Sequence, residues 1–184
     1  MNYYGAKELA DSFLTVRKNT IIIAEEVGEE HYGFRPAPEA RSIAQTLVHI
    51  SNGAKLQEHI HGTLKLKTLD GFNFPQFFMS IQEDEQKPHT KLEILTRLNE
   101  GGNSFAHWLQ SLSDGFLAER VAMPQGMTPP DKTRFEMILG VKEHEMHHRA
   151  QLMLIQRMVG IVPHLTRQMN ERIAAMMAQQ AKAS

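Results

Sequence analysis

The chain has 184 residues, 41% hydrophobic and 22% charged, a composition that suits one soluble domain with a sizeable core. A net charge of −1 with histidines neutral excludes a global field that would gather nucleic acid or anionic membrane. There is no cysteine, which excludes disulfides and thiolate metal ligands, and no apolar run approaches the roughly 18 residues of a membrane span. Met1 to Glu8 has neither a basic nor an apolar signal-peptide region, so a cytoplasmic location is expected.

Residues 5–27 place Ala6, Leu9, Phe13, Val16, Thr20, Ile23 and Val27 at alternating spacings of three and four, a bundle-type helical seam. Gly28 suits its C-terminal end. Phe34-Arg35-Pro36-Ala37-Pro38 must be non-helical, because each proline biases its predecessor away from the α region. Ser42 and Gln45 then form a capping box that opens a second helix reaching about Gly62. The connection over residues 64–89 is long, and Asn73 to Met79 within it is predicted to form a short helix over one end of the bundle. Thr90 and Glu93 cap a third helix running to about Ser113, with Leu95, Leu98, Phe105, Leu109 and Leu112 on its apolar side. Gly101-Gly102 weakens it and marks a kink or a close backbone approach. Residues 114–132 read as a second long loop. Thr133 and Glu136 cap a fourth helix, ended by Gly160 and Pro163, and an amphipathic segment from Leu165 to about Met177 follows. No segment alternates with the period of a strand. The expected fold is all-α: an up-down four-helix bundle over residues 1–162, with an additional C-terminal helix over residues 163–184 of the same domain.

The fourth helix carries the most chemistry. Met137, Val141, His144, His148, Gln151, Ile155 and Met158 fall at spacings of 4, 3, 4, 3, 4 and 3, so they share one face, read as core-facing. Two histidines thus interrupt an apolar stripe. Burying unpaired imidazoles is costly, whereas one shared metal ion binds both in their neutral form. His49, mid-way along the second helix, is the best third ligand, with Gln45 and Asn52 a turn to either side. Gln45, Asn52 and Gln151 are candidates for supporting the ligands or lining a substrate pocket. The competing reading keeps the histidines hydrogen-bonded in the core with no ion. His147 lies about 100° round the helix from His148 and misses the ion. His59 and His61 read as solvated, and His31, His89, His107 and His164 have no spacing partner.

Residues 144–148 also spell H-E-x-x-H, the zinc metallopeptidase pattern in which Glu145 would be the general base. The residues after it lack the extended motif's Gly and His, and no strand is expected to bind a peptide edge-on. The metallopeptidase reading ranks below the bundle reading.

The stretch His144-Glu145-Met146-His147-His148-Arg149-Ala150-Gln151-Leu152 resembles the H-x-x-H-H-R-G-Q-L stretch of DinB/YfiT-like proteins, with alanine at 150 in place of glycine. Arg41 to Ile50 is similar to that family's second-helix pattern ending in a histidine, and Phe34-Arg35-Pro36 fits ahead of it. The resemblance implies a four-helix bundle holding a divalent metal, often zinc or nickel, through His49, His144 and His148. It implies a frequent homodimer and, in some relatives, thiol-dependent S-transferase or isomerase activity with an external low-molecular-weight thiol. The expected function is a metal-dependent enzyme acting on a small molecule, a thiol S-transferase or hydrolase, with no catalytic residue assigned beyond the ligands. The alternative is a non-catalytic, metal-stabilised bundle serving as a binding or stress-response module. Three histidines leave a coordination position open, the mark of a catalytic site, and all-imidazole ligation also suits iron or copper.

Overall fold

A computed structural model describes residues 4–183. Four long helical segments form the bundle: α1 (Ala6–Glu26), α2 (Ile43–Asn52), α5 (Lys91–Gln110) and α7 (Arg134–Met158). Between them lie α3 (Lys55–Gln57), α4 (Phe74–Gln86) and α6 (Asp114–Ala118), and α8 (His164–Ala183) follows α7. The three expected capping boxes all form. In each, the Ser or Thr hydroxyl accepts from the backbone N–H three residues on, and the Gln or Glu side chain accepts in return. The chain is an all-α four-helix bundle with an added C-terminal helix, as its periodicity predicts.

Side-chain contacts sharpen the topology. Phe13 meets Phe105 edge-to-face at 4.9 Å, and Lys91 Nζ donates to the Glu25 carbonyl, so α1 and α5 run antiparallel. Lys142 reaches Ser12 and Arg17 reaches Glu145, so α1 and α7 run parallel. His49 meets His144 while His61 meets Arg134, so the α2 path runs antiparallel to α7. α1 and α2 each pack on both α5 and α7. The bundle's apolar core is split along its length. Ile23, Leu47, Ile94, Leu98, Leu152 and Ile155 fill one end. Leu9, Phe13, Phe105, Leu109, Ile138 and Val141 fill the other. A polar layer lies between them.

Several expectations are corrected. The second helix does not run unbroken to Gly62: it turns at Gly53 and passes through α3 into a π-helical turn, Glu58–Thr63. A Cβ at Gly53 would lie 3.3 Å from the His144 ring, so glycine lets α7 approach there. His61 is not solvated. That π turn buries it completely, and its Nδ1 meets Arg134 at 2.8 Å. Residues 114–132 are not all loop: they hold α6 and β1 (Arg120–Ala122), which pairs antiparallel with β2 (Asp131–Thr133). Strands of three residues are too short to show alternation. The predicted short helix at Phe74 extends to Gln86. The close approach at Gly102 is real, since a Cβ there would lie 2.9 Å from the Arg17 side chain. α8 starts with His164 buried against Asn19, but residues 168–182 are exposed.

Candidate functional site

α7 presents two adjoining polar faces to the bundle. Its deepest seam is Ile138, Val141, Glu145, His148, Leu152 and Ile155, all buried. This corrects the expected core seam, which ran through His144, Gln151 and Met158. Gln151 and Met158 are exposed and His144 is half-buried at the seam's edge. The physical reason is the contact with α1. Glu145, one position beyond His144, turns inward onto Arg17, which donates to both carboxylate oxygens at 2.9 and 3.1 Å. The remaining Arg17 nitrogen donates to the Leu98 carbonyl at 2.9 Å. Glu145 is therefore locked in an ion pair with α1 and has no part to play as the base of an H-E-x-x-H site.

The other face brings the three expected histidines together. His49 Nε2 lies 2.9 Å from His144 Nε2, and His148 Nε2 lies 3.1 Å from the same atom. All three rings offer a ligand nitrogen within a 4.8 Å span. Nitrogens each about 2.0–2.1 Å from one tetrahedral zinc stand about 3.3 Å apart, close to the two separations from His144 Nε2.

The outer ring nitrogens fix the tautomers. His49 Nδ1 is 2.6 Å from Glu85 Oε1, and a carboxylate only accepts, so Nδ1 donates. His148 Nδ1 donates to Gln151 Oε1 at 2.8 Å, and Gln151 Nε2 donates to His147. In the neutral imidazoles, two bare Nε2 lone pairs then point at His144 Nε2, which carries at most one proton. A cation at the centre satisfies all three nitrogens; a hydrogen bond satisfies two. Electrostatics favour the neutral forms of His144 and His148: burial, then His148 and His49, push the His144 imidazolium down to about 4. Burial also lowers His148, against the pull of Gln151.

Glu85 and Asp84 are site residues that sequence reasoning missed. Glu85 is buried, the one buried residue of α4, and accepts from Arg41 Nε at 2.9 Å as well as from His49. Burial raises its carboxyl, but these two donors outweigh it and hold the group below the usual range. Asp84 accepts from Arg97 and from Asn52 Nδ2 and is held well below the carboxylate range, chiefly by Arg97. Asn52 thus anchors α4, its amide taken up by Asp84 and Arg97. Gln45 is occupied by its capping bond to Ser42 and by Gln86 at 3.0 Å. Gln151 holds His148 from the solvent side. Neighbouring acids with opposite engagements are invisible in a segment without core periodicity.

Two cavities meet at the histidines. A cleft of about 1170 Å³ is lined by Arg41, Glu85, Gln86, Lys87, His148 and Gln151, among others. A smaller cavity of about 310 Å³ is lined by His49 and His144. Among the described residues, no helix is long and apolar enough to cross a membrane.

Solved structures of the same fold are a DinB-like protein from Bacillus subtilis, 18% identical with a TM-score of 0.60 over 83% of this chain and 92% of that one. An uncharacterized protein from Clostridium difficile 630 is 19% identical, with a TM-score of 0.66 over 86% of this chain and 99% of that one. YfiT from Bacillus subtilis, described as a probable metal-dependent hydrolase with an unusual four-helix bundle topology, is 12% identical. Its TM-score is 0.66, over 88% of this chain and 91% of that one. No curated protein matches the sequence. The family model of the DinB superfamily matches residues 12–152, a span that carries all three histidines, both acids of α4 and most of each bundle helix, and the chain belongs to that superfamily.

Proposed function

We propose that the protein is a metal-dependent hydrolase of a small molecule, with His49, His144 and His148 holding one divalent ion, zinc or nickel. The observation that carries this reading is the convergence of three Nε2 atoms, two of them bare because Glu85 and Gln151 take the Nδ1 protons. A divalent ion held by three imidazoles polarises a carbonyl oxygen and acidifies a nucleophile that shares its open position. Glu85 orients His49 and adds electron density to its ring. Gln151 does the same for His148 without adding charge. α4 borders the site and limits water around the reacting group, fastened through Asp84, Glu85 and Gln86. Arg41 bonds Glu85 through Nε, and its side chain also borders the large cleft.

A second reading, transfer of an external low-molecular-weight thiol, is favoured by the size of that cleft. At about 1170 Å³ it exceeds what one small ligand usually fills, roughly 300–1000 Å³. Elemental analysis of the purified protein, followed by turnover of ester, amide and electrophile panels with and without added thiol, tests both. Purified protein that takes up no divalent ion from a stoichiometric titration would sink both readings.

A further inference from the structure

The smaller cavity beside the histidines is built unlike the large cleft. Leu56, Phe78, Ile81, Met137 and Val141 supply apolar walls, and Gly140 opens the α7 side one turn before His144. Glycine is the poorest helix former after proline, and it sits here in the middle of a long helix. A Cβ at Gly140 would meet nothing within 4 Å, so no neighbour requires its absence. Its backbone is ordinary, with no positive φ. What the missing side chain leaves is space, bordering a cavity that His49 and His144 also line. At about 310 Å³ the cavity is roughly twice the size of one that takes up benzene, on the order of 150 Å³. The large cleft, on the His148 side, is mixed: Met79, Leu154 and Ile155 supply apolar lining, and Arg41 and Lys87 against Glu39 and Glu83 supply the charges that the smaller cavity lacks. α4 borders both spaces: Phe78 and Ile81 face the apolar cavity, while Gln82, Glu83 and Gln86 line the charged part of the cleft.

We propose that the cavity under Gly140 is a specificity pocket for the apolar end, aromatic or branched aliphatic, of a small-molecule substrate whose polar end lies in the large cleft. The reacting group then joins the two ends and sits at the three Nε2 atoms. This deepens the metal-dependent reading and rests on it. Substituents on the apolar end set selectivity through Gly140, Ile81 and Phe78, and the polar end tolerates wide variation.

Zinc titration followed by calorimetry with two chelating probes tests the pocket. Benzohydroxamate carries a phenyl ring beside its metal-binding group, and acetohydroxamate carries only a methyl. The zinc-loaded protein is expected to bind benzohydroxamate about tenfold more tightly or better, from burial of the ring. Gly140→Leu, which fills the pocket from α7, removes that preference while zinc affinity and acetohydroxamate affinity stay within about twofold of the parent. Ile81→Trp, on the outer helix α4, gives the same result independently should the first variant not fold. Equal affinities for the two probes, or a preference untouched by both substitutions, overturn the pocket and leave the metal reading standing. Failure to take up zinc, or zinc uptake with neither probe bound, overturns the metal reading and the pocket with it.

Discussion

Two polar clusters interrupt the core at the same turn of α7, and their hydrogen bonding separates their roles. On the α1 side, Arg17 and Glu145 are almost wholly inaccessible, at 3% and 1% exposure, and every guanidinium nitrogen has a fixed acceptor. On the α2 side, three imidazoles face one another with more lone pairs than protons, and two cavities open onto them. The first cluster is closed and needs nothing further. The second leaves lone pairs without donors to meet them. Burial of polar groups in a bundle therefore does not by itself mark a functional site; unmatched convergence does.

The largest effect expected is the loss of stoichiometric metal from His144→Ala, because His144 Nε2 is the atom both other histidines face. Elemental analysis checks this, and the helical circular-dichroism spectrum should persist; full occupancy in the variant would refute the three-histidine assignment. Arg17→Ala is the mirror experiment. Leaving Glu145 buried without its partner should cost about 3–5 kcal/mol in chemical denaturation, yet folded protein should bind metal with unchanged stoichiometry. If the Arg17 variant lost metal without losing stability, the two clusters would not be separate.

A third cluster tests the comparison at an intermediate point. His61 Nδ1 is met by Arg134, which also pairs with Glu119, but His61 Nε2 is buried with no partner among the described residues. Burial, and then Arg134, push the His61 imidazolium down to about 4 from an ordinary 6.5. The unfolded chain therefore binds this proton first as pH falls. The contribution of neutral His61 is complete above about pH 6.5 and is lost as pH drops toward 4, by on the order of 3 kcal/mol. Denaturation of metal-free protein across that window should show a shallower pH slope in His61→Gln than in the parent. Equal slopes would mean that His61 is protonated in the fold. The smallest effect belongs to Glu85→Gln, which keeps an acceptor near His49 but removes the charge. Metal affinity by competitive chelation should fall about 10- to 100-fold. A wild-type affinity would show that Glu85 serves only to hold α4.

What could be read from the sequence was local. Ser42, Thr90 and Thr133 announce helix starts because a capping box spans four residues. His144 and His148 announce a shared face because four residues make one turn. His49 followed from assuming that the apolar seams meet in a bundle. Glu145 entered only as the base of the H-E-x-x-H pattern, and one step along α7 sets it about 100° round the helix from His144. In a four-helix bundle that angle aims it at the neighbouring helix, and Arg17, between seam residues Val16 and Thr20, was waiting there. Asp84 and Glu85 were hidden for another reason. Glu85 is the one fully buried residue of α4, and both acids lie beyond the Asn73 to Met79 stretch that its aromatic residues marked, so no buried apolar stripe pointed to them. His61 was misjudged because a π turn rotates the chain away from the phase of a regular helix.

If the three histidines hold an ion as proposed, the adjacency of Asp84 and Glu85 makes ion binding and the docking of α4 a single linked equilibrium. An ion drawing on His49 Nε2 would make the Nδ1–H a stronger donor to Glu85 and tighten the grip on a helix that Asp84 and Gln86 also fasten. By reciprocity, anything that lifts α4 weakens the ion by the same factor. Amide exchange over residues 74–86 therefore becomes a readout of occupancy at a centre whose ligands all lie on other helices.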